Sequence, residues 1–80
     1  MTIAEATVKR LLELCSERNI TINKISNISG ITQSTVSDIV NGTTTNTGIV
    51  TIKKLCDGFE ITLGEFFSTP EFDALEQEIK

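Results

Sequence analysis

The stretch GITQSTVSDIVNG, residues 30–42, has the length of a short helix, carries one charge and is rich in hydroxyls. Its apolar residues are Ile31, Val36, Ile39 and Val40. Thr32 is a favoured N-cap, because its hydroxyl can accept from an amide that the first helical turn leaves unpaired. The spacing predicts a helix from Gln33 to about Asn41, with Gly42 as the left-handed residue just past its end. Projected at about 100° per residue, Val36, Ile39 and Val40 make a dry stripe, and Ser34, Ser37, Asp38 and Asn41 fall opposite it. Gln33 points forward off the first turn. Asn-Gly also starts hairpins, but those need alternating strands on both sides, and none flank it.

Working outward, Thr21 can cap a second short helix that carries Ile25 inward and stops at Gly30. Two short helices joined by Gly30-Ile31-Thr32 must cross steeply, which is the geometry of a helix-turn-helix. Ile25, Ile31, Val36 and Ile39 are the positions that lock this pair to the rest of the chain. The second helix of such a unit lays its first turns against base edges in the DNA major groove. Gln suits that place because its amide pairs bidentately with adenine, and short Ser and Thr side chains allow close approach.

The remaining segments read as further helices. Thr2-Ile3-Ala4-Glu5 is a capping box, and Val8, Leu11, Leu12 and Cys15 then recur at helical spacing to about Arg18, where Asn19 is a plausible stop. After a polar loop, Thr43 to Gly48, a fourth helix spans about Ile49 to Gly58 and buries Ile52, Leu55, Cys56 and Phe59. Thr62-Leu63-Gly64-Glu65 is a second capping box, opening a fifth helix with Phe66 and Phe67. Thr69-Pro70 is a cap followed by proline at the first helical position, and Phe72, Leu75 and Ile79 share one face of the final segment. No strand pattern and no internal repeat is evident.

Eighty residues, 39% of them hydrophobic, allow one small core. No apolar run approaches the ~20 residues of a membrane span, and no signal peptide opens the chain, so a soluble cytoplasmic protein is expected. Cys15 and Cys56 sit in helical apolar patterns and read as reduced core thiols. The net charge of −4 is unevenly placed. Residues 1–59 hold six cations and five carboxylates, a balance of +1, whereas residues 60–80 hold six carboxylates against Lys80, a balance of −5. The acidity therefore belongs to the C-terminal quarter and does not argue against a nucleic-acid partner for the rest. Lys9, Arg10 and Arg18 read as a solvated face of the first helix. The absence of His, of a Gly-rich phosphate loop, of metal-ligand spacing and of a paired nucleophile and base leaves catalysis, a metal or a cofactor without support.

Two segments, Lys24 to Gly42 and Thr51 to Phe67, resemble the lambda-repressor-like, Cro-type helix-turn-helix regulators, also called the xenobiotic-response-element family. The resemblance covers roughly residues 7–67. It implies an all-α fold: a five-helix lambda-repressor-like DNA-binding domain, residues 1–68, with a short C-terminal helical extension, residues 69–80, acidic and amphipathic. By resemblance, Gln33, Ser34, Ser37 and Asp38 fall at base-facing positions of the recognition helix. Thr32, Asn41, Thr43, Thr44 and Thr47 fall where the family meets phosphates through side chains or backbone amides. Such proteins usually bind palindromic operators in double-stranded DNA as dimers, and here Phe66, Phe67 and Phe72 are candidates for the homodimer contact.

This sequence departs from the family pattern at four points. Ile22 stands where a DNA-touching Gln is frequent, the loop Thr43–Thr47 has no Lys or Arg, Glu60 replaces a frequent left-handed Gly, and Asp38 puts a carboxylate on the groove face. The leading expectation is a sequence-specific transcriptional regulator, a repressor, reading an operator with helix 33–41. Phage-type repressor, antitoxin and restriction–modification controller are not separable from these residues. The alternative is an antitoxin or protein-interaction module that keeps the fold with weak or no DNA binding and takes a protein partner such as a toxin.

Overall fold

A computed structural model describes residues 1–79 of the chain. Six helices follow one another: α1 (Ile3–Arg18), α2 (Ile22–Ser29), α3 (Gln33–Val40), α4 (Ile49–Phe59), α5 (Leu63–Phe67) and α6 (Pro70–Asp73). Among the described residues there is no strand. Both capping boxes form, with Thr2 and Glu5 at the start of α1 and Thr62 and Glu65 at the start of α5. The amides of Thr2 and Thr62 hold the Glu5 and Glu65 carboxyls below their ordinary range.

Three of the turns between helices are built alike. Asn19, Gly30 and Glu60 take left-handed backbone, with φ of 54°, 68° and 60°, and each is followed by Ile and then Thr. The Ile amide reaches back five residues each time, to the carbonyls of Cys15, Ser26 and Cys56 at 3.0, 3.0 and 2.9 Å. That is the bond that closes a Schellman turn and satisfies an otherwise unpaired helix carbonyl. The Thr then caps the next helix: Thr21 accepts from the Lys24 amide, Thr32 from Thr35 and Thr62 from Glu65. Ile20, Ile31 and Ile61 pack on the core. Each cap is visible singly in the sequence, yet the recurring Xaa-Ile-Thr unit is a repeat of turn chemistry that a search for periodic repeats passes over.

The core is one cluster that includes Leu11, Leu14, Ile25, Val36, Ile39, Leu55, Phe59 and Phe66, with Cys15 and Cys56 among them. Both cysteines are free and buried, and burial pushes their thiols up. Helix α2 lies mainly on α4 and α3, and α1 supports α3 from the other side. The α2–α4 approach is close at Gly58, where a Cβ would overlap the Ser29 hydroxyl and sit 3.1 Å from Ile25 Cδ1. The Ser29 hydroxyl is itself buried without a partner. Ile22, at the start of α2, also packs against the core, so this departure from the family pattern is used in folding.

Three expectations are corrected. The basic residues of α1 are not simply a solvated face. Arg10 donates from Nε to the Phe66 carbonyl and from Nη2 to the Glu65 carbonyl, both at 2.8 Å, and Arg18 donates to the Phe59 carbonyl. They neutralise the carbonyl ends of α5 and α4, where the helix dipole is negative. Phe66 is fully buried and cannot form a dimer contact. Its ring meets Phe67 edge-on at 5.0 Å, and Phe67 meets Phe72 edge-on at 5.0 Å, so the aromatic set closes the bottom of this domain's own core. Helix α6 ends at Asp73, so Phe72, Leu75 and Ile79 do not form a helical stripe. Thr69 makes no side-chain cap bond, and a single uncapped turn is too short to propagate. The chain is instead drawn to α1: the Glu76 amide donates to the Met1 carbonyl at 3.3 Å, and Lys9 pairs with Glu71. Ile79 is exposed, and Lys80 lies outside the described residues.

Two substitutions with opposite signs test this packing. Glu60→Gly removes a left-handed side chain and is expected to stabilise the protein by about 0.5–1 kcal/mol net of the added unfolded-state freedom. Gly58→Ala adds a methyl where α2 and α4 touch and is expected to cost about 1–3 kcal/mol. Urea denaturation of both variants measures these changes.

Candidate nucleic-acid interface

The Gly30-Ile31-Thr32 turn delivers α3 with its apolar face turned inward, Val36 and Ile39 being buried. Its other face carries the residues singled out in the sequence. Gln33, Ser34 and Asp38 are exposed, Ser37 is half-buried, and Asn41 is exposed as the C-terminal cap. The helix therefore brings Gln33, Ser34, Ser37, Asp38 and Asn41 onto one outward surface, as the projection requires.

Hydroxyl chemistry organises the entry to this helix. Thr32 Oγ1 lies 2.7 Å from Thr35 Oγ1 and 3.3 Å from Ser34 Oγ, and it accepts from the Thr35 amide at 3.3 Å. Its lone pairs are thus engaged at the cap, and Ser34 is held by the same oxygen. Thr35 completes this network, a residue that sequence reasoning did not single out; its place at the third helical position was the available signal.

The loop after α3 narrows what the phosphate candidates can do. The Thr43 and Thr44 amides both donate to the Asp38 carbonyl, at 3.0 and 3.3 Å. These amides finish α3 and are not free for a phosphate, which leaves the side-chain hydroxyls. Thr43 is exposed and Thr44 half-buried. Thr47 is half-buried and lines a groove together with Thr45, Asn46 and the start of α1.

Charge on this surface is sparse. Residues 30–48 contain no Lys or Arg and one carboxylate, Asp38. Elsewhere most cations are already engaged: Lys9 with Glu71, Lys53 with Asp57, and Arg10 and Arg18 with helix carbonyls. Among the described residues, Lys24 on α2 and Lys54 on α4 are exposed and have neither kind of contact.

The sequence model of the Cro/C1-type HTH DNA-binding domain matches residues 3–71. The chain belongs to the Cro/C1-type helix-turn-helix DNA-binding family. A solved relative supports this: the chain resembles the crystal structure of the prophage Lp1 protein 11 with a TM-score of 0.82 and 32% identity, over 94% of this chain and 99% of that one. No curated protein matches in sequence. Membership of this Cro/C1-type family makes the protein a DNA-binding domain of the transcription-regulator kind, with DNA as its partner. No helix among the described residues is long and apolar enough to cross a membrane.

For a Cro/C1-type domain the charge count has a measurable consequence. Each neutralised phosphate steepens the fall of log binding constant with log salt by about 0.9. Two free lysines per chain therefore predict a slope no steeper than about −2 per bound chain, read by fluorescence anisotropy on duplex DNA between about 50 and 200 mM salt.

Proposed function

We propose that this protein is a cytoplasmic, sequence-specific transcriptional repressor that reads an operator through the major groove with α3. The observation that carries the reading is the outward row Gln33, Ser34, Ser37, Asp38 and Asn41 on a helix whose opposite side is locked into the core. Gln33 is the reader of adenine, its free amide offering one donor and one acceptor at a base edge. Ser34 and Ser37 permit close approach, and Asp38 accepts from cytosine N4. Thr32, Asn41, Thr43, Thr44 and Thr47 contribute side-chain contacts to the phosphate backbone, Thr43 and Thr44 through their hydroxyls alone. One short helix covers only a few base pairs, so the repressor acts as a homodimer on a palindromic operator with half-sites about 34 Å apart. The prophage origin of the solved relative supports a phage-type regulator.

A second reading has its own observation. The net charge of −4 and a contact loop without Lys or Arg suit an antitoxin or protein-interaction module with weak DNA binding. Retention on heparin and on random duplex at low salt favours the repressor; passage through both favours the protein module.

Gln33→Ala tests the repressor reading. On a duplex selected from a random library, binding is expected to weaken by ~1–3 kcal/mol, with non-specific binding almost unchanged. Equal losses on selected and random duplexes would show that Gln33 does not read a base.

A further inference from the structure

Three hydroxyls stand together where α3 begins. Thr32 Oγ1 lies 2.7 Å from Thr35 Oγ1 and 3.3 Å from Ser34 Oγ, and it accepts from the Thr35 amide at 3.3 Å. A hydroxyl oxygen has one proton and two lone pairs. At Thr32 one lone pair takes the Thr35 amide, so the other lone pair and the proton remain for the two hydroxyl neighbours. One neighbour must therefore donate to Thr32 and the other accept from it. Two proton orders satisfy this count: Thr35 to Thr32 to Ser34, or the reverse.

Burial decides between them. Ser34 is exposed and Thr35 is half-buried. Thr7 and Ser26 send their helical hydroxyls to the carbonyls four residues back, each at 2.7 Å. Thr35 makes no such bond, and among the described residues Thr32 is the partner of its hydroxyl. In the reverse order the Thr35 proton would stand in half-buried surroundings without an acceptor, which is the costly arrangement. In the forward order each proton inside the chain has an acceptor, and the last one, on Ser34, faces outward. Both lone pairs of Thr32 are then taken, so the Ser34 proton has no acceptor to turn back to.

We infer that Thr35 is a positioning residue of the reading surface. Its hydroxyl sets the proton order of the chain, so that Ser34 presents a proton to the DNA and selects a base-edge acceptor. The inference rests on the reading of α3 proposed above and deepens it. The acceptors are purine N7, guanine O6 and thymine O4, whereas the adenine N6 and cytosine N4 amino groups are donors and would meet the Ser34 proton head-on. Selectivity follows from the proton being fixed. Against an acceptor it is paired; against an amino group or a carbon it is buried without a partner and cannot retreat. Thr35 thus touches no base, yet determines which edge Ser34 tolerates. Thr32, with its proton and lone pairs used inside the chain, meets the DNA backbone through its methyl group.

The test uses the full chain and a duplex selected by the wild type from a random library. Fluorescence anisotropy compares the wild type, Ser34→Ala, Thr35→Val and Thr35→Ser on that duplex and on analogues lacking one major-groove acceptor or one amino donor. The acceptor whose removal costs Ser34→Ala nothing further marks the Ser34 contact. Removing it is expected to weaken the wild type ~3–10-fold, but Thr35→Val by about twofold or less. Without the Thr35 hydroxyl, the stranded Ser34 proton can turn back to Thr32. Thr35→Ser restores the oxygen and is expected to behave as the wild type. Each penalty is a ratio within one variant, so a change in stability cancels from it. A role of Thr35 in the cap alone predicts a loss common to every duplex with the wild-type penalty kept, and that result overturns the inference. So does a Ser34 contact that maps to an amino donor or to no base atom. A Ser34→Ala loss equal on selected and random duplexes places Ser34 on a phosphate and overturns it as well. Gln33→Ala judges the α3 reading separately. Base-specific loss there, with equal penalties in the wild type and Thr35→Val, sinks the assignment of Thr35 alone; uniform losses in both Gln33→Ala and Ser34→Ala sink the reading and the inference together.

Discussion

The three-residue turn of a left-handed residue, Ile and Thr is the constraint on which the rest of this structure depends. At Gly30-Ile31-Thr32 it closes α2 through the Ile31 amide, opens α3 through the Thr32 hydroxyl, and seats Ile31 on the core. Carbonyls leaving one helix and amides entering the next are satisfied within three residues, so no extra loop is needed. The crossing of α2 and α3 is thereby set by bonds within and beside the turn itself. The same turn at Asn19 leads from α1 into α2, and at Glu60 it places α5 on α4. At Glu60 the requirement for left-handed backbone is met by a residue that gains nothing from it, which shows how strongly the surrounding helices determine the turn.

Local chemistry explains what could be read from the sequence. Both capping boxes, the Thr21 and Thr32 caps, the stops at Asn19 and Gly30, and the buried face of α4 all depend on residues within four positions of one another. Each appears in the structure as the spacing implies. What was not legible depends on partners far along the chain. Arg10 and Arg18 find carbonyls 55, 56 and 41 residues away. The segment after Asp73 leaves the helical pattern where the Glu76 amide reaches the Met1 carbonyl. At the interface, the outward row on α3 follows from helical periodicity alone. The engagement of the Thr43 and Thr44 amides by Asp38 and the place of Thr47 in a groove with the start of α1 follow from loop geometry, which hydroxyl-rich sequence does not specify.

Electrostatics divides the molecule. Arg10 and Arg18 hold the carbonyl ends of α5 and α4, and Lys9 pairs with Glu71 of the acidic segment, which lowers the Glu71 carboxyl below its ordinary range. These cations are consumed in assembling the fold. The acidic C-terminal quarter is tied to the first two turns of α1 through Lys9 and the Met1 amine, which lies 4.0 Å from the Glu76 carboxylate. A chain that looks unsuited to DNA by its net charge thus keeps its carboxylates, Asp38 apart, off α3 and its loop.

A recognition surface built this way separates affinity from selectivity. Non-specific attachment to DNA comes almost wholly from phosphate neutralisation, and α3 with its loop offers hydroxyls and amides in place of cations. Such groups bind weakly anywhere on a duplex and strongly only where base edges match them, because an unmatched buried amide or carboxylate loses its hydrogen bonds to water without replacement. On the reading proposed above, Asp38 sharpens this further, since a carboxylate in the groove is repelled by phosphates everywhere and relieved only by a base donor. The quantity that governs occupancy in a genome is the ratio of specific to non-specific binding, not the absolute constant. A nearly neutral reading helix lowers both terms but lowers the non-specific one more. On the homodimer reading proposed above, two weak readers on adjacent half-sites restore affinity only where both match, and the scarcity of cations on α3 serves that discrimination.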